Sequence, residues 1–226
     1  PKSMTSISTG VFDSCTSLLY VDVGSSTMAN QCCSYMFSGC TGIKDIMFPT
    51  PSTLAEGCFE RMYNGCTGLE GIFYDGWSYN VDMAKACYKG MFYGCTSLNQ
   101  NGFYDIRLTS TVLAESCYEA MFYGCTSLSK SISLPATTLA KSCYKDMFSG
   151  CVSIATVYPI YALGISDGVL AESCCSGMFN GCTSITEAPR FRPTTLAPSC
   201  YEYMFKGCSS ITKAYHLPDA TLAESC

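Results

Sequence analysis

The sequence predicts an α/β solenoid, a single array of about eight short coils. Three observations predict it. The segment C-Y-x-x-M-F-x-G-C-T-S-L recurs, with its Met-aromatic pair at Met36-Phe37, Met62-Tyr63, Met91-Phe92, Met121-Phe122, Met147-Phe148, Met178-Phe179 and Met204-Phe205, in steps of 26, 29, 30, 26, 31 and 26 residues. That period is too short for a domain and suits a coil that buries its apolar face only by stacking on its neighbours. Charged residues are only 14% of the chain while it carries 16 Tyr and 12 Phe, as shared apolar faces require. A weaker first copy, Val11-Phe12-Asp13-Ser14-Cys15-Thr16-Ser17-Leu18, precedes the seven, and another begins before Cys226. One array over residues 1–226 is therefore expected, as a fragment of a longer chain or with its ends covered by a neighbour, since terminal coils normally carry polar caps.

Each coil reads as a helix followed by a strand. Thr-Leu-Ala opens it at Thr53-Leu54-Ala55, Thr138-Leu139-Ala140 and Thr195-Leu196-Ala197. Thr is a good N-cap, and Thr53 with Glu56 and Thr221 with Glu224 have capping-box spacing. Leu54, Cys58 and Met62 then fall at i, i+4 and i+8, as do Leu139, Cys143 and Met147, one apolar stripe of a short helix. Gly39, Gly65, Gly94, Gly124, Gly150, Gly181 and Gly207 stand one residue before the second Cys, where a left-handed residue would end that helix. A short extended stretch follows, such as Ser129–Pro135, closed by a Pro that cannot continue a ladder. Counted from the second Cys, inward residues fall at +3, +6 and +9: Leu69, Ile72 and Asp75; Ile154, Val157 and Ile160; Ile211, Ala214 and Leu217. Steps of three break the alternation of a flat strand and predict a bend or bulge. The longer copies carry their extra residues after the strand, at 74–80, 103–107 and 161–168, where insertions leave a solenoid as loops.

The M-F-x-G-C-T-S-L segments leading into a strand and a Pro resemble the leucine-rich repeats of the BspA type, found in bacterial cell-surface proteins and some protist surface proteins. The resemblance covers essentially the whole chain. It implies a curved right-handed array with a parallel sheet on the concave side and short helices outside. It also implies an extracellular or cell-surface protein that recognises a protein or glycan on a host or microbial surface and does no catalysis. The chain departs from the commoner pattern in placing Cys32, Cys58, Cys87, Cys117, Cys143, Cys174 and Cys200 at the first helix position, where an aliphatic residue is usual; Ile7 keeps the aliphatic form.

The residues themselves speak against catalysis and against several partners. The formal net charge is −5 and no Lys/Arg run occurs, which argues against a nucleic-acid groove or an anionic membrane surface. No apolar run approaches the roughly 18 residues of a membrane span, so this segment is not expected to insert. Sixteen of the 18 cysteines fall in two columns, at the first helix position or after the Gly, while Cys33 and Cys175 stand where other copies have Phe or Tyr. Two readings stay open: thiols stacked in the core as small hydrophobes, favoured by Ile7, or a disulfide closing each C-x7-C pair. Gaps of seven in unbroken columns define no closed four-ligand set, so no metal is expected. A Cys nucleophile needs a base, and the one His, His216, reads as a surface residue. Glu56, Glu115, Glu172 and Glu224 recur in the first helical turn, a structural place that favours negative charge. Neither a catalytic residue nor a cofactor is expected.

Two function classes remain. The first is a binding module that uses the concave sheet and inserted loops. Its candidate residues are Phe73, Tyr74 and Phe103, at matching outward strand positions of neighbouring coils, with Trp77 and Tyr79 in the adjacent insertion, then Tyr158 and Tyr215 further along. Such rings offer flat apolar area with polar tips for sugars or protein hot spots. The second is a structural spacer or a fibre segment of a cell or phage surface, with end-to-end self-association.

Overall fold

The computed structural model describes residues 3–4, 9–20, 27–47, 51–73, 82–99, 108–158, 160, 170–192 and 195–215. Regular strands among these are short: β1 (Ser3–Met4), β2 (Thr27–Met28), β3 (Asp45–Met47) and β4 (Gly71–Phe73). β1 pairs in parallel with β2, and β3 with β4, setting Asp45 opposite Gly71, Ile46 opposite Ile72 and Met47 opposite Phe73. Single parallel bridges join Val112 to Thr138, Lys130 to Thr156, Leu134 to Ile160 and Glu187 to Lys213. A chain that returns in the same direction one repeat later can pair only this way. The pairing therefore runs in two ladders, one entering the conserved segment and one leaving it.

The segment between the ladders is the main correction to the sequence reading. It is not helical among the described residues. Every fourth residue has a left-handed φ: Gly57 (60°), Arg61 (51°) and Gly65 (69°) in one repeat, Ser116 (54°), Ala120 (53°) and Gly124 (69°) two repeats on. An α-helix needs a negative φ throughout, so three left-handed residues in a single pass rule it out. What forms is a run of linked turns.

The backbone hydrogen bonds explain why the chain accepts that geometry. Alternate N–H groups bond three residues back, from Cys58 to Ala55 (3.2 Å), Glu60 to Gly57 (3.0 Å), Met62 to Phe59 (3.3 Å) and Asn64 to Arg61 (3.1 Å). The intervening N–H groups cross to the next repeat, from Gly57 to Lys85 (3.0 Å), Phe59 to Cys87 (2.9 Å), Arg61 to Lys89 (2.8 Å), Tyr63 to Met91 (2.9 Å) and Gly65 to Tyr93 (2.7 Å). Carbonyls divide the same way: those of Glu56, Cys58, Glu60, Met62 and Asn64 accept from Gln31, Cys33, Tyr35, Phe37 and Gly39 of the preceding repeat. An α-helix would satisfy itself and offer nothing to a neighbour. Here half the groups close each turn and half tie the repeats together, so the backbone N–H groups named above are all paired.

Side chains follow the same period of four, two in and two out. Cys58, Phe59, Met62, Tyr63 and Cys66 are buried, and their equivalents continue the core through every repeat from Cys32 to Met204. The aromatic of each Met-aromatic pair stacks on the next: Phe12, Phe37, Tyr63, Phe92, Phe122, Phe148, Phe179 and Phe205 form one column with ring centroids 5.4–5.8 Å apart. A second column, Phe59, Tyr88, Tyr118 and Tyr144, runs beside it at 5.5–6.0 Å. On the strand side Leu69, Ile72, Ile154 and Ile160 are buried as the spacing predicts, and Val157 is half-buried. Ala214 is exposed instead, because it lies in the outermost described repeat with no described neighbour packed beyond it. Asp75 and Leu217 lie outside the described residues.

The repeated glutamates also find a different role. With no helix to cap, Glu115 pairs with Lys85 (3.4 Å) and Glu172 with Lys141 (2.8 Å), each one repeat away. Charges alternate along that column as Glu56, Lys85, Glu115, Lys141, Glu172, and along its neighbour as Glu60, Lys89, Glu119, Lys145, where Lys89 meets Glu119 at 3.3 Å. Each exposed pair contributes at most about 1 kcal/mol, yet a slipped register would set like charges together. Glu224 lies outside the described residues.

The turn run and a helix respond oppositely to one substitution. Ala120→Gly inside a helix would cost about 1 kcal/mol. At the left-handed φ of 53° it removes the Cβ conflict and is expected to stabilise the fold by about 0.5–1 kcal/mol. Denaturant unfolding of the variant reads the sign directly.

Candidate functional site

The strand that follows each turn run positions the first candidate surface. In β3, Asp45 is exposed, Ile46 buried and Met47 exposed, so +5 and +7 after the second Cys face solvent and +6 faces the core. Met47, at the end of β3, is 38% exposed and Tyr158, between two isolated bridge residues, 41%. Tyr158 is anchored by its backbone N–H, which donates to Ser131 Oγ at 2.8 Å from the neighbouring repeat. Further along, two cations lie over the Tyr215 ring: Arg190, whose Cζ is 4.5 Å from its centroid, and Lys213, whose Nζ is 4.8 Å away. Its hydroxyl donates to the Glu187 carboxylate, which also holds Lys213 Nζ at 3.1 Å. These contacts hold the Glu187 carboxyl below its usual range, the Tyr215 hydroxyl first and then Lys213. Tyr158 is thus exposed and Tyr215 half-buried, while the backbone of Phe73 ends β4 opposite Met47. Tyr74, Trp77, Tyr79, Phe103 and His216 lie outside the described residues, as does the side chain of Phe73.

Sequence reasoning missed a second surface, on the outward corner of the turn runs. Tyr93 and Tyr123 occupy the position before the left-handed Gly in adjacent repeats and stack with centroids 4.5 Å apart and planes 1° apart. Arg61 covers the other face of Tyr93, its Cζ 4.6 Å from the centroid. Asn64 Oδ1 accepts from Arg61 Nη1 at 3.3 Å, and Asn64 Nδ2 donates to Ser38 Oγ at 3.2 Å. The available signal was the frame itself, since equivalent residues of successive coils must lie side by side.

The cysteines are structural in their contacts. All seventeen among the described residues are free thiols. Each member of the column after the Gly donates its S–H to the carbonyl of an aromatic one repeat back: Cys40 to Phe12 (2.9 Å), Cys66 to Phe37 (3.0 Å), Cys95 to Tyr63 (3.1 Å), Cys125 to Phe92 (3.1 Å), Cys151 to Phe122 (3.0 Å), Cys182 to Phe148 (3.0 Å) and Cys208 to Phe179 (3.0 Å). Burial pushes the thiols of Cys58, Cys66 and Cys182 up to about 12 from an ordinary 9.0. Cys32 and Cys33 form a sulfur pair 3.8 Å apart, and the Cys33 thiol is driven upward by that contact and then by burial. Among the described residues no group of three or more His, Cys, Asp and Glu could hold a metal ion, and no helix is long and apolar enough to cross a membrane.

The profile of the BspA type leucine rich repeat region matches residues 1–99 and 96–219, in six copies. The chain belongs to the BspA-type leucine-rich repeat family. Its repeats are also similar in fold to a crystal structure of a leucine-rich repeat protein from Bacteroides ovatus ATCC 8483, with a TM-score of 0.51 at 20% identity over 96% of this chain. The chain spans about half (54%) of that protein's length. No curated protein matches the sequence.

Two outcomes follow for the BspA-type core. Below 9.0 Cys58, Cys66 and Cys182 are protonated both folded and unfolded; above it only their unfolded forms ionise, because in the fold these thiols hold their protons to about 12. Stability is therefore fully present below pH 9 and is lost as pH rises from there toward 12, each such thiol adding a slope approaching about 1.4 kcal/mol per pH unit. Thermal melts without reductant across about pH 7–10.5 should be flat and then fall steeply, and alkylation should label these thiols only after unfolding. Separately, Tyr63 carries a fully buried hydroxyl with no partner in a column otherwise made of Phe. Tyr63→Phe is expected to stabilise the protein by about 1–2 kcal/mol in denaturant unfolding.

Proposed function

We propose that the chain is a non-enzymatic binding module of an extracellular or cell-surface protein, recognising a protein or glycan on a host or microbial surface. The proposed form is a curved right-handed array of about eight coils, with the strand ladder on the concave side and the longer insertions beside it. The carrying observation is the outward strand face, where Met47 and Tyr158 are exposed although the buried positions alone complete the core. Rings fixed on a ladder lose little freedom on binding, and the Tyr215 cluster adds both charge signs at one edge. The family supports the reading through its frequent occurrence in surface proteins. The candidate residues Phe73, Tyr74, Trp77, Tyr79 and Phe103 extend the same surface in this proposal.

A second reading has its own support. Turn-run donors face the following repeat and acceptors the preceding one, so two copies could continue each other's ladder as a spacer or fibre segment. Light scattering across a dilution series separates the two, with a stable monomer supporting the binding module. For the leading reading, a glycan array and a panel of immobilised cell-surface proteins should yield a ligand. Tyr158→Ser and the double change Phe73→Ser with Tyr74→Ser should each weaken its binding by about tenfold or more, while the melting temperature moves by less than about 2 °C. Joint loss of binding and stability would assign the rings to the core.

A further inference from the structure

We propose that the guanidinium groups of Arg190 and Arg192 receive the carboxylates of an acidic segment of a partner protein. The proposal rests on the binding-module reading above and names the chemistry of its partner at one end of the strand face. Phe191 turns toward the core, its ring 4.9 Å from that of Tyr201 and 6.4 Å from that of Phe205. Its neighbours Arg190 and Arg192 are both exposed, so the two guanidiniums leave the chain on the same side, as alternate residues of an extended chain do. One repeat on, Lys213 is exposed as well. Among the described residues these three cations share the surface with one carboxylate, Glu187, in a chain whose formal net charge is −5.

The group is held in place before any partner arrives. Ala188 N–H donates to the Lys213 carbonyl at 3.0 Å and Thr212 N–H to the Thr186 carbonyl at 3.0 Å, and Glu187 bridges in parallel to Lys213. Arg190 reaches over the Tyr215 ring of the following repeat, its Cζ 4.5 Å from the centroid. Glu187 is already engaged, by the Tyr215 hydroxyl and by Lys213 Nζ at 3.1 Å. Lys44, Lys85, Lys89, Lys141 and Lys213 are each paired with a glutamate one repeat away, whereas among the described residues no carboxylate forms an ion pair with Arg190 or Arg192. The Arg190 guanidinium therefore rests its face on a ring and keeps its N–H fork for an incoming carboxylate. The same column favours a polypeptide over a sugar. Tyr158, Pro189 and Tyr215 hold equivalent places in three successive repeats, and the Tyr215 ring already carries two cations. The exposed Tyr158, two strand spacings or roughly 10 Å away, offers a contact to an apolar residue of the same segment.

The test is an NMR titration of the chain with acetyl-Asp-Glu-Asp-Glu-amide, alongside acetyl-Asn-Gln-Asn-Gln-amide and a tetramer of galacturonic acid. The acidic peptide should shift resonances of Arg190, Arg192 and Lys213 and bind at least about fivefold more tightly than the amide peptide in about 20 mM salt, with affinity falling as salt is added. Arg190→Gln and Arg192→Gln should each weaken it about threefold or more. Lys44→Gln, an equal charge change at an exposed lysine paired with Glu70, should leave it unaltered. The spectrum of each variant reports its fold, and Arg192→Gln decides the case if Arg190→Gln is misfolded. The proposal is overturned if the acidic peptide causes no shift, if both peptides bind alike, if the folded arginine variants bind as the parent does, or if the galacturonic acid tetramer binds more tightly than the peptide. Failure here with Tyr158→Ser still weakening a ligand found on the array or panel would remove this proposal and leave the binding-module reading; peptide binding with no such ligand would do the reverse.

Discussion

The division of the backbone N–H groups governs this molecule. Donating alternately to its own turn and to the next repeat forces the chain through a left-handed residue at every fourth position. That in turn sets a side-chain period of four with two residues inward and two outward. The inward pairs build the Met, Cys and aromatic columns; the outward pairs carry the alternating charges and the Tyr93–Tyr123 stack. Left-handed backbone at non-glycine residues is unfavourable, and the structure holds it at Gln31, Tyr35, Arg61, Ala86, Ser116 and others. The inter-repeat hydrogen bonds and the buried stacks offset that strain.

The thiol column belongs to the same scheme. The Tyr63 carbonyl accepts the N–H of Cys66 at 3.2 Å within its own repeat and the S–H of Cys95 at 3.1 Å from the next, so both of its lone pairs are engaged. Cysteine suits the place because it packs as a small hydrophobe and still donates weakly. A serine would bring a more strongly hydrated group into a dry column, and an aliphatic residue would leave the second lone pair idle. The first Cys column has weaker contacts, with Cys58 and Cys143 each 3.9 Å from the carbonyl of the next column member. There an aliphatic residue would serve equally.

Much of this was legible in the sequence. The frame, the inward columns and the parallel pairing all follow from residues that recur one repeat apart, because equivalent positions in stacked coils must meet. The helix did not follow, for a physical reason: buried residues at 58, 59, 62, 63 and 66 fit a stripe of period 3.6 almost as well as one of period four. The discriminating sign was the glycine spacing, Gly57 with Gly65, Gly90 with Gly94 and Gly177 with Gly181, since a helix end needs one left-handed residue and not a series. The outward Tyr93–Tyr123 stack escaped because ring contacts across coils depend on which outward column each residue joins, and that column was mis-set by the helical period. On the strand half of the coil Tyr158 is exposed, while Tyr215 is half-buried beneath the Arg190 and Lys213 side chains.

The alternating Glu and Lys columns also bear on how such a chain can grow. Coils joined only through backbone bonds could be copied singly, since every repeat offers donors and acceptors in the same pattern. The order Glu56, Lys85, Glu115, Lys141, Glu172 does not allow that freely: copying one coil would set two like charges in contact, whereas copying two together preserves the order. The charge ladder therefore imposes a parity on duplication in this part of the gene, favouring insertion and loss of coils in pairs.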